Sequence, residues 1–583
     1  MKVATTFDIL GPVMVGPSSS HTAGALRIAQ MAASLCDTPI ERVSFTLYNS
    51  FARTYAGHGT DRALLGGILG MHTDDPDIQR SFAIARERGL SWEFVPSTSG
   101  GDGLHPNTVD IEMRCDDGTV TSVRGESLGG GKARLVRVNG VSVDLTGRMP
   151  ALFVAHRDVP GMLALMTGEL GAAGVNIAYM SSYRTTPGQL AYALFECDTL
   201  PAGDALSAML AGIETSPDVF GVRVVRAAGT TEVAGDATSE RDFATGAELL
   251  ERCAAEAGYG QSPTAALQAG DAARCVPSSG DVAECSPARA AGASGCASDT
   301  DEQGEARRAG VSIGTLMRLR EADLRGPAEA ERLMARVLDV MRQETSEPIA
   351  HPGRSLGGML DGQAARVFGW QGPAGALCGP TLTKACAWAM ATLERSARMG
   401  IIVAAPTAGS SGVLPGAVLA CADALGPEAA NGRCVVDALY CAAAVGAIIE
   451  RNASVAGAEG GCQAEVGSAS AMAAAALVQM LGGDPAMCLD AATLAISNLL
   501  GLVCDPVRGL VEVPCQARNA IGVANAYTAA QMALSGVALP IPFDEAVEAM
   551  SQVGHALPES LRETALGGLA ATPSACALCG GCA

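Results

Sequence analysis

The sequence predicts a multidomain α+β protein: an N-terminal α/β domain (1–147), a ferredoxin-like βαββαβ domain (151–227) and a C-terminal all-α domain (247–583). Three observations point there. A chain of 583 residues exceeds one core at roughly 100–200 residues per domain. Residues 151–227 alternate strand and helix signals in the order of a split βαβ unit. From residue 311 helical periodicity recurs between Gly/Pro breaks, and a composition with 4% aromatics and 70 glycines favours close-packed small-residue helices.

Within 1–147, positions 22–35 have helical apolar spacing and Val43 to Tyr48 alternates like a strand. Gly129 to Gly131 breaks the pattern before a strand from Ala133 to Val138. In the central unit a strand at 152–155 precedes a helix at 160–172. Strands follow near 175–183 and 190–197, then a helix near 203–213 and a strand at 222–225. Residues 228–246 read as a linker. Residues 260–308 read as a disordered insertion, too rich in Ala, Gly, Ser and acids to bury a core. Later helices are expected at 315–322, 328–343, 380–396, 415–424, 435–450, 468–480 and 520–534, followed by a Cys-rich tail at 574–583.

A net charge of −21 argues against nucleic-acid or anionic-membrane partners, which need basic clusters. No window reaches 18 uninterrupted apolar residues, and Val435 to Ile449 reads as a buried helix. No export signal is visible, so the expected location is the cytoplasm, where 19 cysteines are not a disulfide framework. Cys36, Cys197, Cys386, Cys421, Cys434 and Cys441 read as small buried hydrophobes.

Cys462, Cys504 and Cys515 differ: each stands beside Gly or Pro at an apparent helix end. Such breaks let backbone approach a bulky inorganic cluster and offer amides to its sulfides. The 311–570 segments Pro406-Thr407-Ala408-Gly409-Ser410-Ser411-Gly412, Asn452-Ala453-Ser454, Glu459-Gly460-Gly461-Cys462, the Cys504 and Cys515 loops and Leu561-Arg562-Glu563-Thr564 resemble the catalytic part of the iron–sulfur L-serine dehydratases. Gly16-Pro17-Ser18-Ser19-Ser20-His21-Thr22 and Gly57-His58-Gly59-Thr60-Asp61 resemble that family's other part. Arg157-Asp158-Val159-Pro160-Gly161 and Gly174-Val175-Asn176-Ile177 make the central unit resemble an ACT domain. The segment 355–366 matches only loosely, with Arg366 where many relatives have lysine.

The resemblance implies a [4Fe–4S] cluster on Cys462, Cys504 and Cys515, with Cys582 of the tail as a candidate fourth ligand, and Asn452 and Ser454 as donors behind it. An iron without a thiolate acts as Lewis acid toward the carboxylate and hydroxyl of L-serine while a protein base takes the α-proton. Ser18, Ser19, Ser20 and Thr22 are expected to contact substrate, and Thr407, Ser410, Ser411 and Gly412 to form a second anion loop. His58, or His21, is the expected base or acid, with Asp61 orienting His58. Asp158, Gly161 and Asn176 are the candidate amino-acid-binding residues of the ACT-like unit, whose relatives often pair, so a homodimer is expected. The alternative electron sink, pyridoxal phosphate on a lysine, has little support: the three lysines are Lys2, Lys132 and Lys384, and neither internal one lies in a phosphate-cradling loop. Two alternatives stay open: a related Fe–S lyase acting on cysteine or threonine, and a redox or amino-acid-sensing Fe–S protein with four protein ligands.

Overall fold

Alternating apolar residues build the first sheet. In strand Thr108–Cys115, Val109, Ile111, Met113 and Cys115 are buried while Glu112 and Arg114 face out, the period of a pleat with one covered face. The computed structural model describes residues 4–97, 103–147, 149–184, 187–225, 238–256, 310–372 and 375–578. The expected insertion, much of the linker, Cys579 and Cys582 lie outside these residues.

After β1 (Val13–Val15), the strands β2 (Ile40–Leu47), β3 (Ser91–Pro96), β4 (Thr108–Cys115), β5 (Val120–Gly129), β6 (Lys132–Val138) and β7 (Val141–Leu145) form a sheet in the order β3-β2-β4-β5-β6-β7. Only β2 and β3 run parallel in it. After a short α1 (Thr6–Ile9), the helices α2 (Ala25–Ala33), α3 (Asn49–His58), α4 (Thr60–Ile68) and α5 (Ser81–Glu87) accompany it, and Leu26, Ile28, Leu64 and Leu65 share its core with Phe45 and Ile111. The helix expected over 22–35 begins earlier, as a π-helical turn at Ser19–Gly24. Gly24 lies so close to Ser127 of β5 that a Cβ would collide with that side chain.

The central unit runs β8 (Ala151–Arg157), α6 (Met162–Ala172), β9 (Ile177–Arg184), β10 (Leu190–Cys197), α7 (Asp204–Ile213) and β11 (Val219–Val225). Its sheet is antiparallel throughout, in the order β11-β8-β10-β9. One face packs on α6 and α7 through Met162, Met166 and Met209, and the other sets Phe153, Tyr192 and Leu194 against the first core.

The C-terminal region is helical. Helices Val413–Leu425, Arg433–Asn452, Pro485–Leu499 and Cys515–Leu534 surround Ser468–Met480, whose alanines 469, 471 and 473–476 are fully buried. Small side chains let neighbouring axes approach closely. Ala408–Leu425 is apolar and long enough to pass as a membrane span by composition, but 83% of it is buried inside the protein as a core helix.

Two departures from the expected architecture matter. The C-terminal region is not all-α: β12 (Ile401–Val403) pairs antiparallel with β1, Val13 opposite Val403. Phe7, Ile9 and Leu10 of the N-terminal segment belong to the helical core. These apolar residues find cover only across the boundary, so the outer regions are stitched together. Lys132–Glu450 and Arg336–Asp74 ion pairs add to the seam.

Candidate active site

Cys462 follows a one-turn helix at Gly457–Gly460 and a Gly461 at φ 75°, a conformation that suits glycine. Cys504 is held from both sides by the 561–563 segment: its amide donates to Leu561 O at 2.9 Å, and its carbonyl accepts from Glu563 N at 2.8 Å. Cys515 opens the helix Cys515–Leu534. All three thiols are buried and lie within electrostatic reach of one another. Burial, then Glu465, pushes the Cys462 thiol up to about 12, and burial raises Cys504 and Cys515 as well. These are neutral thiols until a metal displaces their protons.

The donor chemistry fits a polynuclear cluster. Among the described residues no three His, Cys, Asp or Glu side chains are close enough to share one metal ion. In an iron–sulfur cluster each thiolate holds a different iron, so three buried thiols near one another are the kind of donor set it takes. The Arg518 guanidinium stands beside Cys462 and pairs with Asp505 at 2.8 Å, setting positive charge next to thiolates formed there. Gly457 keeps backbone close to Cys504: a Cβ would come 3.3 Å from Cys504 Sγ and 2.7 Å from Glu465 Oε2.

Glu465, in the π-helical turn three residues after Cys462, is half-buried. Thr407 Oγ1 donates to its Oε1 at 2.7 Å, and its Oε2 lies 3.9 Å from Cys504 Sγ. Thr407 thus faces a carboxylate. The expected anion loop is otherwise satisfied by the protein itself. Ser410 Oγ lies 3.1 Å from Thr407 Oγ1, Ser411 donates to Ala408 O at 2.8 Å, and Gly412 N donates to Asn519 Oδ1 at 3.1 Å. The hydroxyls of Thr407, Ser410 and Ser411 and the amide of Gly412 are thus engaged within the protein.

Ser18, Ser20 and Ser50 clamp His21. Its Nδ1 is 3.1 Å from both Ser18 Oγ and Ser20 Oγ, and its Nε2 is 2.9 Å from Ser50 Oγ. Ser18 also caps the turn by accepting from His21 N. Ser19 is buried in that turn, and Thr22 Oγ1 donates to His58 O at 3.2 Å. The His58 ring lies 4.5 Å from that of His21, centroid to centroid. His58 is 2% exposed and neither ring nitrogen has a hydrogen-bond partner. Burial holds its pKa down at about 4, and burial followed by the neighbouring His58 holds His21 well below the usual range. Asp61 does not orient His58: its Oδ1 accepts from Arg62 N at 2.7 Å, and burial raises its carboxyl to about 6.

The two halves of the site meet directly. Leu510, in the loop between Cys504 and Cys515, occupies the space that a Cβ on Gly57 would need. Thr54 sits likewise against Gly509. The helix ending in His58 therefore rests on the chain between two of the three cysteines. Glu512 secures this loop from behind, accepting from Ser355 Oγ at 2.8 Å, Gly357 N at 2.8 Å and Met359 N at 3.0 Å.

Other expected residues lie elsewhere. Asn452 donates to Ala244 O at 2.7 Å and Ile448 O at 3.0 Å, tying down the linker end instead of backing the thiols. Ser454 bonds Glu459 and accepts from Ala456 N, shaping the approach to Cys462. In the central unit Asp158 is engaged by Arg184 and Gly188 N, Asn176 by Asp198, and Gly161 starts α6 at φ 95°. Of the cysteines expected in apolar cores, Cys197, Cys421 and Cys441 are buried, while Cys36, Cys386 and Cys434 are half-buried. Arg366 is exposed and bonds its local turn through Asp361 O. Sequence reasoning missed Glu465, Glu512, Arg518 and Glu563. Glu465 carried a signal, its place three residues beyond Cys462, and Glu563 stood in a matched segment.

Comparison with known proteins matches residues 246–570 to the serine dehydratase alpha chain family and residues 5–134 to the serine dehydratase beta chain family. A Bacillus subtilis chain named "Probable L-serine dehydratase, alpha chain" is 49% identical over 217 residues, 37% of this chain and 71% of its own length. The L-serine dehydratase alpha chain of Peptoniphilus asaccharolyticus is 46% identical over 242 residues, 42% of this chain and 82% of its own. The beta chain from the same organism is 37% identical over 210 residues, 36% of this chain and 94% of its own.

Proposed function

The chain belongs to the L-serine dehydratase family, with alpha-chain and beta-chain regions in one polypeptide, and from that premise we propose that it eliminates water from L-serine, releasing pyruvate and ammonia. The observation that carries the reading is the seating of α3, with His58 at its end, on the loop between Cys504 and Cys515. It joins the two matched regions into one site.

Cys462, Cys504 and Cys515 are the residues that would hold a [4Fe–4S] centre, whose open iron supplies Lewis acidity toward the carboxylate and hydroxyl of serine. The chain's own residues supply the rest. Arg518 offsets thiolate charge. A buried imidazole with both nitrogens unpartnered is neutral near pH 7 and free to accept a proton, so His58 takes the α-proton in this reading. His21, fixed by three serine hydroxyls, walls the other side. Two imidazolium ions at 4.5 Å in a buried site repel, so the pair takes up at most one proton beyond the N–H that each neutral ring carries, and the second ring stays a hydrogen-bonding partner. Enclosure by both regions keeps water from the α-carbon. The enamine product tautomerises and hydrolyses without further catalysis.

The strand order of the central unit supports reading it as an ACT-like module. The test of the main reading is an anaerobic assay of pyruvate from serine, threonine and cysteine, combined with iron and sulfide counts. Serine turnover with about four irons per chain is expected. Preference for cysteine or threonine would move the reading to a related lyase. A cluster with four protein ligands and no turnover would favour a redox or sensing protein.

A further inference from the structure

Arg518 stands three residues after Cys515 in the helix Cys515–Leu534, and positions three apart share a helix face. Its guanidinium reaches from that helix to both other cysteine loops. One Nη donates to Val503 O at 2.7 Å and the other pairs with Asp505 Oδ1 at 2.8 Å, so the fork grips the residues on either side of Cys504. The same group lies within hydrogen-bonding reach of the Cys462 sulfur. One side chain therefore links the segments of all three cysteines. Asp505 is fixed in turn: its Oδ2 accepts from Leu569 N at 2.7 Å, and Gly568, at φ 60°, leaves that carboxylate the space a Cβ would take.

Packing alone does not account for this pair. The Arg518 side chain is 16% exposed and that of Asp505 3%, and a buried ion pair seldom stabilises a fold more than apolar residues of the same volume. The cysteines supply a chemical reason. Once a metal displaces the thiol protons, the site holds three sulfur anions with Glu465 beside them, and Arg518 faces Cys462, Cys515 and Glu465. A guanidinium carries five N–H donors in a planar fork, so it can hold two oxygens and still donate to sulfur. A lysine ammonium is a point charge and cannot span those three partners. A donor to a ligand sulfur also draws electron density from it, which favours the reduced state of the centre.

We propose that Arg518 is the positioning residue of the cluster: its fork holds the Cys462, Cys504 and Cys515 segments together before metal arrives, and its N–H groups beside the Cys462 sulfur raise the reduction potential of the bound centre. The inference rests on the [4Fe–4S] reading above and concerns how the centre is held and tuned, not which residue moves the proton of serine. Asp505 is the partner that aims the fork.

The experiment uses the full-length protein, reconstituted anaerobically with ferrous iron and sulfide, in its unmodified form and as Arg518→Gln and Arg518→Lys. Two quantities are read without serine: the rate at which a chelator strips iron, and the midpoint potential from a dithionite titration followed by electron paramagnetic resonance. Arg518→Gln is expected to lose iron roughly tenfold faster or more. Its potential is expected to fall by at least a tenfold shift in the one-electron equilibrium, about 59 mV. A merely structural loss would speed iron release without moving the potential. Arg518→Lys keeps the charge and loses the fork, so it is expected to hold a potential near that of the unmodified protein while losing iron faster. That variant carries the test if Arg518→Gln assembles no cluster. An unchanged potential in Arg518→Gln overturns the proposal, and so does iron loss at the unmodified rate in Arg518→Lys. Failure of the unmodified protein to take up iron and sulfide overturns the [4Fe–4S] reading and this inference with it, whereas identical clusters in all three forms overturn this inference alone.

Discussion

The ring of His58 packs 4.5 Å from that of His21, centroid to centroid, and while His21 is bonded at both nitrogens His58 is bonded at neither. The inequality separates them: His21 is held in place, and both ring nitrogens of His58 are open to a hydrogen-bond partner. His58→Gln is expected to lower kcat roughly 100-fold or more with iron and sulfide content unchanged. Turnover near that of the unmodified protein would remove His58 from the chemistry.

The same burial makes stability depend on pH. His58 titrates at about 4 in the fold against about 6.5 when unfolded. Between those values the unfolded chain binds a proton that the native site refuses, so stability falls as pH drops from about 6.5 toward 4. The loss reaches about 3 kcal/mol at full displacement. His58→Gln should therefore lose less melting temperature between pH 7 and pH 5 than the unmodified protein does. Equal losses would show that His58 is already protonated in the fold.

Cys462→Ser, Cys504→Ser and Cys515→Ser are each expected to abolish serine turnover and to sharply lower bound iron and sulfide after anaerobic preparation. Cys421→Ala, in the helical core, is the control and should keep its iron. Iron retained in all three site variants would exclude these thiols as ligands.

Gly57→Ala places a methyl where the Leu510 side chain now sits. Activity should fall while the iron count holds, because the α3–loop contact is forced apart. Adding Leu510→Ala removes the obstruction, and the double variant should recover much of the loss. Additive losses in the double variant would show that the contact does not couple the two regions.

Glu512→Ala strands the buried Ser355 hydroxyl and removes the acceptor of the half-buried Gly357 and Met359 amides. A loss of about 2–4 kcal/mol is expected, with faster amide hydrogen exchange at 355–360 before other segments. Unchanged exchange there would mean that the loop is held by other contacts.

Much of the fold was legible because the patterns are local. The alternation in β2 from Val43 on, the β8-to-β11 order and the apolar helical runs each report which side of one element is buried. The helix at 520–534 proved longer, starting at Cys515, because Gln516 and Asn519 are polar in sequence yet buried in the fold. Gln516 donates to Glu394 at 2.8 Å, and Asn519 to Gly409 O at 2.8 Å. Such satisfied polar residues read as exposed until their partners, more than 100 positions away, are known. Asn452 shows the reverse: a place in a matched segment suggested a role behind the thiols, and its bonds go to the linker.

From sequence alone came the family, and with it the candidate cysteines and histidines, because glycine- and proline-flanked cysteines and short polar motifs are chemical identities that need no coordinates. Tertiary packing alone decided that Glu465 stands beside Cys504, that Arg518 attends Cys462, that Asp61 leaves His58 unpartnered, and that Leu510 fills the space beside Gly57. The reason is physical. Burial and distance set both pKa and hydrogen bonding, and both come from residues that only the folded core brings together.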